Sequence, residues 1–287
     1  MKNIAFIGIG VMGKSMARNL MKKGYNVYIY TRTKEKAIDI IEEGAIWCDT
    51  ICECVKNKYA VITMVGYPKD VEEVYFGENG IIENVDTDTY IIDMTTTSPK
   101  LSVEIYNAAK TKNIKALDAP VSGGDTGAKN GTLSIMVGGD KEDFDACYDI
   151  FSAMGTTILY EGKAGFGQHT KMVNQILLSG CIASVCEAIT YGKKHGLNIE
   201  MMFNSVKNGA AGSWQLSNNG AKIIDDDMSP GFFIKHYIKD MKIALEEAEA
   251  VGFKPEILKS VYDMYKCLEK EGMEDLGTQA LIKYYEK

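Results

Sequence analysis

The sequence predicts an α/β protein in which a doubly wound, mostly parallel sheet is followed by an all-α domain. Three observations predict it. Short apolar, β-rich runs alternate with longer amphipathic ones up to about residue 160, a glycine-rich turn follows the first run, and the strand pattern stops after Gly162. A chain of 287 residues suits two domains, expected here as 1–163 and 164–287.

The strand-like runs are Ile4 to Ile7, Val27 to Tyr30, Ala60 to Val65, Tyr90 to Met94, Lys115 to Ala119, Leu133 to Val137 and Thr156 to Tyr160. Between them lie helical stretches at Met12 to Lys23, Lys34 to Glu43, Val71 to Tyr75, Ser98 to Lys112 and Glu142 to Met154. Gly165-Phe166-Gly167 then marks a linker into a long interdomain helix, from about Gln168 to His195, and further helices follow near Ile199 to Lys207, Ile234 to Ala250 and Pro255 to Lys270. Ser179, Gly180, Ala183 and Ser184 leave the long helix narrow enough for another helix of the chain or of a second subunit. A homodimer or homotetramer is the expected assembly.

Composition narrows the function classes. Hydrophobic residues make up 46% and charged residues 25% of the chain, as in an ordinary globular protein. The net charge of -7 argues against a general nucleic-acid surface, which needs clustered Lys and Arg. The apolar stretch Ile4 to Ile9 is broken by glycines and does not read as a signal peptide. The longest uncharged run, between Lys171 and Glu187, is shorter than the roughly 18 to 20 residues of a membrane span, so no membrane partner is expected. Seven cysteines, an odd count, suit reduced thiols in the cytoplasm. Cys48 and Cys52 would share a helical face with Cys54 nearby, but they lack C-x-x-C spacing. His169, His195 and His236 form no ligand pattern, and Asp225-Asp226-Asp227 lacks the alternation of a calcium loop, so no metal is expected.

The chemistry begins at Gly8-Ile9-Gly10-Val11-Met12-Gly13, a G-x-G-x-x-G turn that leaves the first strand and opens the first helix. Gly8 suits the tight turn, Gly10 the approach of a pyrophosphate, and Gly13 close packing of helix on strand, with Val11 and Met12 at the helix N-terminus beside the diphosphate. This is the dinucleotide fingerprint of a Rossmann domain, and Val65, ending the third strand, joins the expected nucleotide contacts. An NAD site usually carries an acidic residue at the end of the second strand. Here that strand ends in Tyr30-Thr31-Arg32-Thr33, where Arg32 can pair with a 2′-phosphate and Thr31 and Thr33 can donate hydroxyls, so NADP is preferred and NAD is possible.

Further along, the hydroxyl of Ser122 and the amides of Gly123 and Gly124, in Asp118-Ala119-Pro120-Val121-Ser122-Gly123-Gly124, can point at one small anion. Lys171 lies one helical turn before Asn174 and Gln175 and shares a face with both.

Together with Gly131-Thr132-Leu133, the Gly165 to Gln175 segment and Lys239-Asp240, these segments resemble the β-hydroxyacid dehydrogenase family, which includes 3-hydroxyisobutyrate dehydrogenases and tartronate and glyoxylate/succinic semialdehyde reductases. The resemblance implies hydride transfer between NADP(H) and a small carboxylate-bearing hydroxy acid or semialdehyde. Ser122, Gly123 and Gly124 would hold the carboxylate, Lys171 would be the general acid and base, and Asn174 would assist it. A lysine can do this near neutral pH when desolvation or nearby cations lower its pKa. Thr96 matches a threonine that contacts cofactor and substrate, Lys239 a residue that closes over the cofactor, and Phe232 and Asp240 positions that line the substrate pocket. Ser213-Trp214 would wall the same pocket. Gln175 departs from the usual asparagine, which puts the second amide on a longer arm. A rival on the same scaffold is an imine reductase, which usually lacks a lysine at this position. A non-catalytic nucleotide-sensing protein is the rival from another class, and the presence of Ser122, Lys171 and Asn174 together speaks against it.

Overall fold

The computed structural model describes residues 2–286. The chain divides into two compact units, Met1–Lys171 and Met172–Lys287. In the first, the strands are β1 (Asn3–Ile7), β2 (Asn26–Tyr30), β3 (Ile46–Trp47), β4 (Ala60–Thr63), β5 (Tyr90–Asp93), β6 (Lys115–Asp118), β7 (Val121–Ser122), β8 (Leu133–Gly139) and β9 (Gly155–Gly162). They form one sheet in the order β3-β2-β1-β4-β5-β6-β8-β7, with β9 paired to β8. The pairs from β3 through to β6 are parallel, and β8 runs antiparallel to both β6 and β7. The expected mostly parallel, Rossmann-type sheet is what the chain forms.

Every residue of β4 (Ala-Val-Ile-Thr) and of β5 (Tyr-Ile-Ile-Asp) is buried. Such runs, without alternation, arise because helices cover both faces of a parallel sheet. Ile4, Phe6 and Ile92 enter one core and Ala5, Ile7 and Ile91 the other, as the two-residue period of a strand requires. The order reverses between β1 and β4. At such a switch point the loops at the carboxyl ends of the two strands part and leave a crevice.

The helices are α1 (Val11–Lys22), α2 (Ile38–Glu42), α3 (Ile51–Val55), α4 (Pro68–Phe76), α5 (Ile81–Asn84), α6 (Pro99–Thr111), α7 (Gly124–Asn130) and α8 (Lys141–Ser152). The stretch expected as one helix from Lys34 opens as a 3-10 turn over Lys34–Ala37 before α2. Cys48 precedes α3, so it does not share a helical face with Cys52. Side-chain caps set two starts: Thr50 accepts Glu53 N–H at 3.1 Å for α3, and Ser98 accepts Leu101 N–H at 3.4 Å for α6.

The longest helix, α9 (Phe166–Lys194), begins in the first unit and continues into the second. It is followed by α10 (Ile199–Val206), α11 (Ala221–Ile224), α12 (Ile234–Ala250), α13 (Glu256–Lys270) and α14 (Ile282–Tyr285), and the second unit is helical as expected. By length and composition alone α9 could cross a membrane. Its residues Ile182, Val185, Cys186 and Ile189, spaced three and four apart, are instead buried in the same core as Tyr237, Met241 and Tyr265.

Candidate functional site

At the carboxyl end of β1, Gly8 has φ +102°, and a Cβ there would lie 2.3 Å from Met64 O. Only glycine fits that turn. A Cβ at Gly13 would lie 2.0 Å from Gly8 O and 3.0 Å from the ring of Phe6, so α1 packs onto β1 through a bare backbone. Gly10 differs, because a Cβ there would meet nothing within 4 Å. It is exposed beside Val11, at the N-terminus of a twelve-residue helix without an acidic first turn. That combination of open space, first-turn amides that no side chain caps and a positive helix end could hold a diphosphate.

Thr31 and Arg32 follow β2, on one side of this turn, and Val65 follows β4 on the other; Val65 N–H donates to Thr95 Oγ1 at 3.0 Å. Arg32 is 74% exposed at its side chain and lies 3.2 Å from the carboxylate of Asp70 in α4. The tetrapeptide after β2 holds no carboxylate, but the fold brings one to it from 38 positions away.

A second group of residues fixes the start of α9. Asp118, ending β6, accepts Gly165 N–H at 2.7 Å and Gln168 N–H at 2.9 Å. A buried carboxylate thereby satisfies amides that the first helical turn leaves without partners. The Gln168 side chain accepts Thr97 N–H at 3.1 Å and donates to Thr95 O at 2.7 Å, tying the helix to the loop that carries Thr96. Gly167 is required there, since a Cβ would lie 2.4 Å from Met136 O. One turn on, Lys171 is 6% exposed, and its Nζ donates to Val121 O at 2.9 Å. The carbonyl belongs to the residue before Ser122, so the ammonium lies at the Ser122-Gly123-Gly124 turn. Gly123 and Gly124 have φ of +130° and +62°, which glycine adopts without strain.

Asp93, in register with Asp118 on β5, is also buried. Its Oδ1 accepts the Thr63 hydroxyl at 2.8 Å and Thr95 N–H at 3.1 Å, while Oδ2 has no hydrogen-bond partner among the described residues. Burial pushes Asp93 up to about 6, opposed by its hydrogen bonds to Thr63 and Thr95 and assisted by the charge of Asp118. Burial raises Asp118 as well, opposed by the Gly165 and Gln168 amides. Asp93 belongs to no local motif, and although Asp118 opens the segment that leads to Ser122, only the register of β5 with β6 pairs the two.

In the second unit, Asn174 Nδ2 donates to Gln175 Oε1 at 2.7 Å, Gln175 Nε2 donates to Asp240 Oδ2 at 2.5 Å, and Lys239 Nζ lies 3.0 Å from Asp240 Oδ1. Tyr237 donates its hydroxyl to Gln175 O at 3.1 Å, and Phe232 packs on the Tyr237 ring at 5.7 Å. Gln175 is 1% exposed. His236, one turn before Lys239 and Asp240, is held below the usual imidazole range by burial and by the charge of Lys239. Ser213 accepts Leu216 N–H at 3.0 Å, and Trp214 is 63% exposed.

Two family models match. The NAD-binding domain of 6-phosphogluconate dehydrogenase covers residues 3–162, and the NAD-binding domain of NADP-dependent 3-hydroxyisobutyrate dehydrogenase covers residues 165–285. A 3-hydroxyisobutyrate dehydrogenase of Pseudomonas aeruginosa is 34% identical over 258 residues, spanning 88% of this chain and 87% of that protein. The chain belongs to the β-hydroxyacid dehydrogenase family. Within that family, an uncharacterised oxidoreductase of Bacillus subtilis, YkwC, is 54% identical over 286 residues, spanning 100% of this chain and 99% of its own. Among solved β-hydroxyacid dehydrogenases, the Mycobacterium tuberculosis 3-hydroxyisobutyrate dehydrogenase, crystallised with L-serine, superposes with a TM-score of 0.90 at 28% identity, over 99% of this chain and 98% of that one. The protein is therefore an NAD(P)-dependent oxidoreductase acting on CH–OH groups.

Proposed function

We propose that this enzyme interconverts a small β-hydroxy acid and its semialdehyde, of the 3-hydroxyisobutyrate, tartronate semialdehyde or succinic semialdehyde type, with NADP(H) favoured and NAD(H) accepted. The observation that carries this reading is the buried ammonium of Lys171, hydrogen-bonded at 2.9 Å to the carbonyl that precedes Ser122. This supports a proton donor at the turn whose hydroxyl and two glycine amides would take a carboxylate.

The glycine turn fits a dinucleotide. Gly8, Gly10 and Gly13 shape the cradle, Val11 and Met12 offer helix-terminal amides to the diphosphate, and Thr31, Arg32 and Thr33 serve the adenosine ribose and its 2′-phosphate. Val65, Thr96 and Lys239 are the remaining nucleotide contacts of this reading. When bound, the nicotinamide supplies or accepts hydride at the carbinol carbon. In the reducing direction Lys171 donates its proton to the carbonyl oxygen, and in the oxidising direction its neutral amine takes the hydroxyl proton. Ser122, Gly123 and Gly124 hold the substrate carboxylate, Asn174 orients the reacting oxygen, and Gln175, Phe232 and Asp240 bound the substrate.

Assaying Lys171→Ala with NADPH against a panel of small semialdehydes tests this assignment. A positioned general acid contributes about 10²- to 10⁴-fold, so turnover should fall by that factor while NADPH affinity stays within about twofold. Near-normal turnover would remove Lys171 from proton transfer.

A further inference from the structure

Arg32 and Asp70 are held very differently. The Asp70 carboxylate is 18% exposed, and its Oδ2 accepts Tyr67 N–H at 3.0 Å, which fixes the carboxylate over the start of α4. The Arg32 side chain is 74% exposed and reaches Asp70 Oδ1 with one terminal nitrogen, at 3.2 Å. In the sheet β1 lies between β2, which delivers Arg32, and β4, which leads to Asp70, so the pair spans the carboxyl end of β1 where the glycine turn begins. Any group that recruits Arg32 there does so in the field of an anchored negative charge.

We propose that Asp70 is a specificity-determining residue that competes with a nucleotide 2′-phosphate for Arg32 and so limits the preference for NADPH over NADH. The proposal rests on the reading of Arg32 as the 2′-phosphate partner. A 2′-phosphate carries nearly two negative charges, whereas a 2′-hydroxyl carries none, so the carboxylate penalises one nucleotide and leaves the other nearly untouched. Asp70 cannot turn away without giving up Tyr67 N–H, so the competition persists with nucleotide bound. The arginine keeps further donors on its other nitrogens, which is why Asp70 weakens the phosphate contact without abolishing it.

Asp70→Asn tests this with little risk to the fold, because its amide oxygen can still cap Tyr67 N–H. Dissociation constants for NADPH and NADH, from nicotinamide fluorescence, should show NADPH binding about 3- to 10-fold tighter and NADH changed by less than about twofold, at an unaltered melting temperature. An unchanged NADPH constant overturns the proposal, whatever NADH does. Arg32→Ala, measured alongside, separates the two readings. If it weakens NADPH selectively while Asp70→Asn changes nothing, the phosphate role of Arg32 stands and the competition falls. If it weakens both nucleotides equally, the phosphate role falls, and a gain from Asp70→Asn no longer acts through Arg32, which also overturns the proposal.

Discussion

At the scale of single residues, charge decides which way the amides of α9 point. A carboxylate accepts hydrogen bonds and donates none, so the group that Gln175 turns toward Asp240 must be its NH₂. Its carbonyl oxygen then faces Asn174, which must donate its own NH₂. Gln175, with the longer arm, is thus placed to transmit the polarity of Asp240 to Asn174. Gln175→Glu can reproduce this order only while its carboxyl is protonated, donating to Asp240 and accepting from Asn174. We expect its kcat to fall about tenfold or more at alkaline pH and to recover as the pH drops, with a titration absent from the parent enzyme. A kcat deficit that does not vary with pH would leave Gln175 a packing residue only.

At the scale of elements, the glycine turn and α1 make opposite demands at two glycines that the motif alone treats alike. A Cβ at Gly13 must displace the backbone of Gly8, so Gly13→Ala should destabilise the fold by about 1–3 kcal/mol, an overpacking cost. Gly10 has a φ of -85°, which alanine tolerates, and open space for a methyl group. Gly10→Ala should therefore match the parent in denaturant midpoint yet bind NADPH about tenfold or more weakly. Equal affinity in Gly10→Ala would take the diphosphate away from this turn. The distinction also shows what the sequence could and could not reveal. All seven strand-like runs became strands, because short, mostly apolar segments rich in β-branched and aromatic residues and bounded by turn residues favour extended backbone. The two-residue strands β3 and β7 carry no periodicity to detect. Gly124–Asn130, with two glycines and little apolar surface, does not look helical and forms α7 only where Ala128 is buried in the sheet's core. Likewise Lys171 and Ser122 could be named from local motifs, whereas Asp70 meets Arg32, and Asp93 meets Thr63 and Asp118, only through strand order and register.

At the scale of the whole molecule, the chain carries an excess of acid, and two of its carboxylates lie in register inside the first unit, where they and Ser102 line one small cavity. Asp118 is offset by the amides at the start of α9, but Asp93 Oδ2 and Ser102 Oγ have no hydrogen-bond partner among the described residues. Native Asp93 keeps its proton up to about 6, against 3.8 for an ordinary aspartate. Between those values the native state binds more protons than the unfolded chain, so this group makes stability fall as pH rises. The penalty is absent below about pH 3.8 and complete above about pH 6. At about 1.4 kcal/mol per pH unit of displacement it amounts to about 3 kcal/mol. Asp39, exposed, and Asp227, partly exposed, are pulled down to about 2, Asp39 chiefly by Lys14 and Asp227 chiefly by Ser229, so they act in the opposite sense and are screened by solvent. Substitution isolates the buried group from them. Asp93→Asn keeps an oxygen for the Thr63 hydroxyl and Thr95 N–H and turns an NH₂ toward the cavity. Urea unfolding should find it equal to the parent or weaker at pH 4 and more stable at pH 7, by up to about 3 kcal/mol, with the difference opening across pH 4 to 6. A difference that stays constant over that range would show that Asp93 ionises as readily inside the protein as outside it.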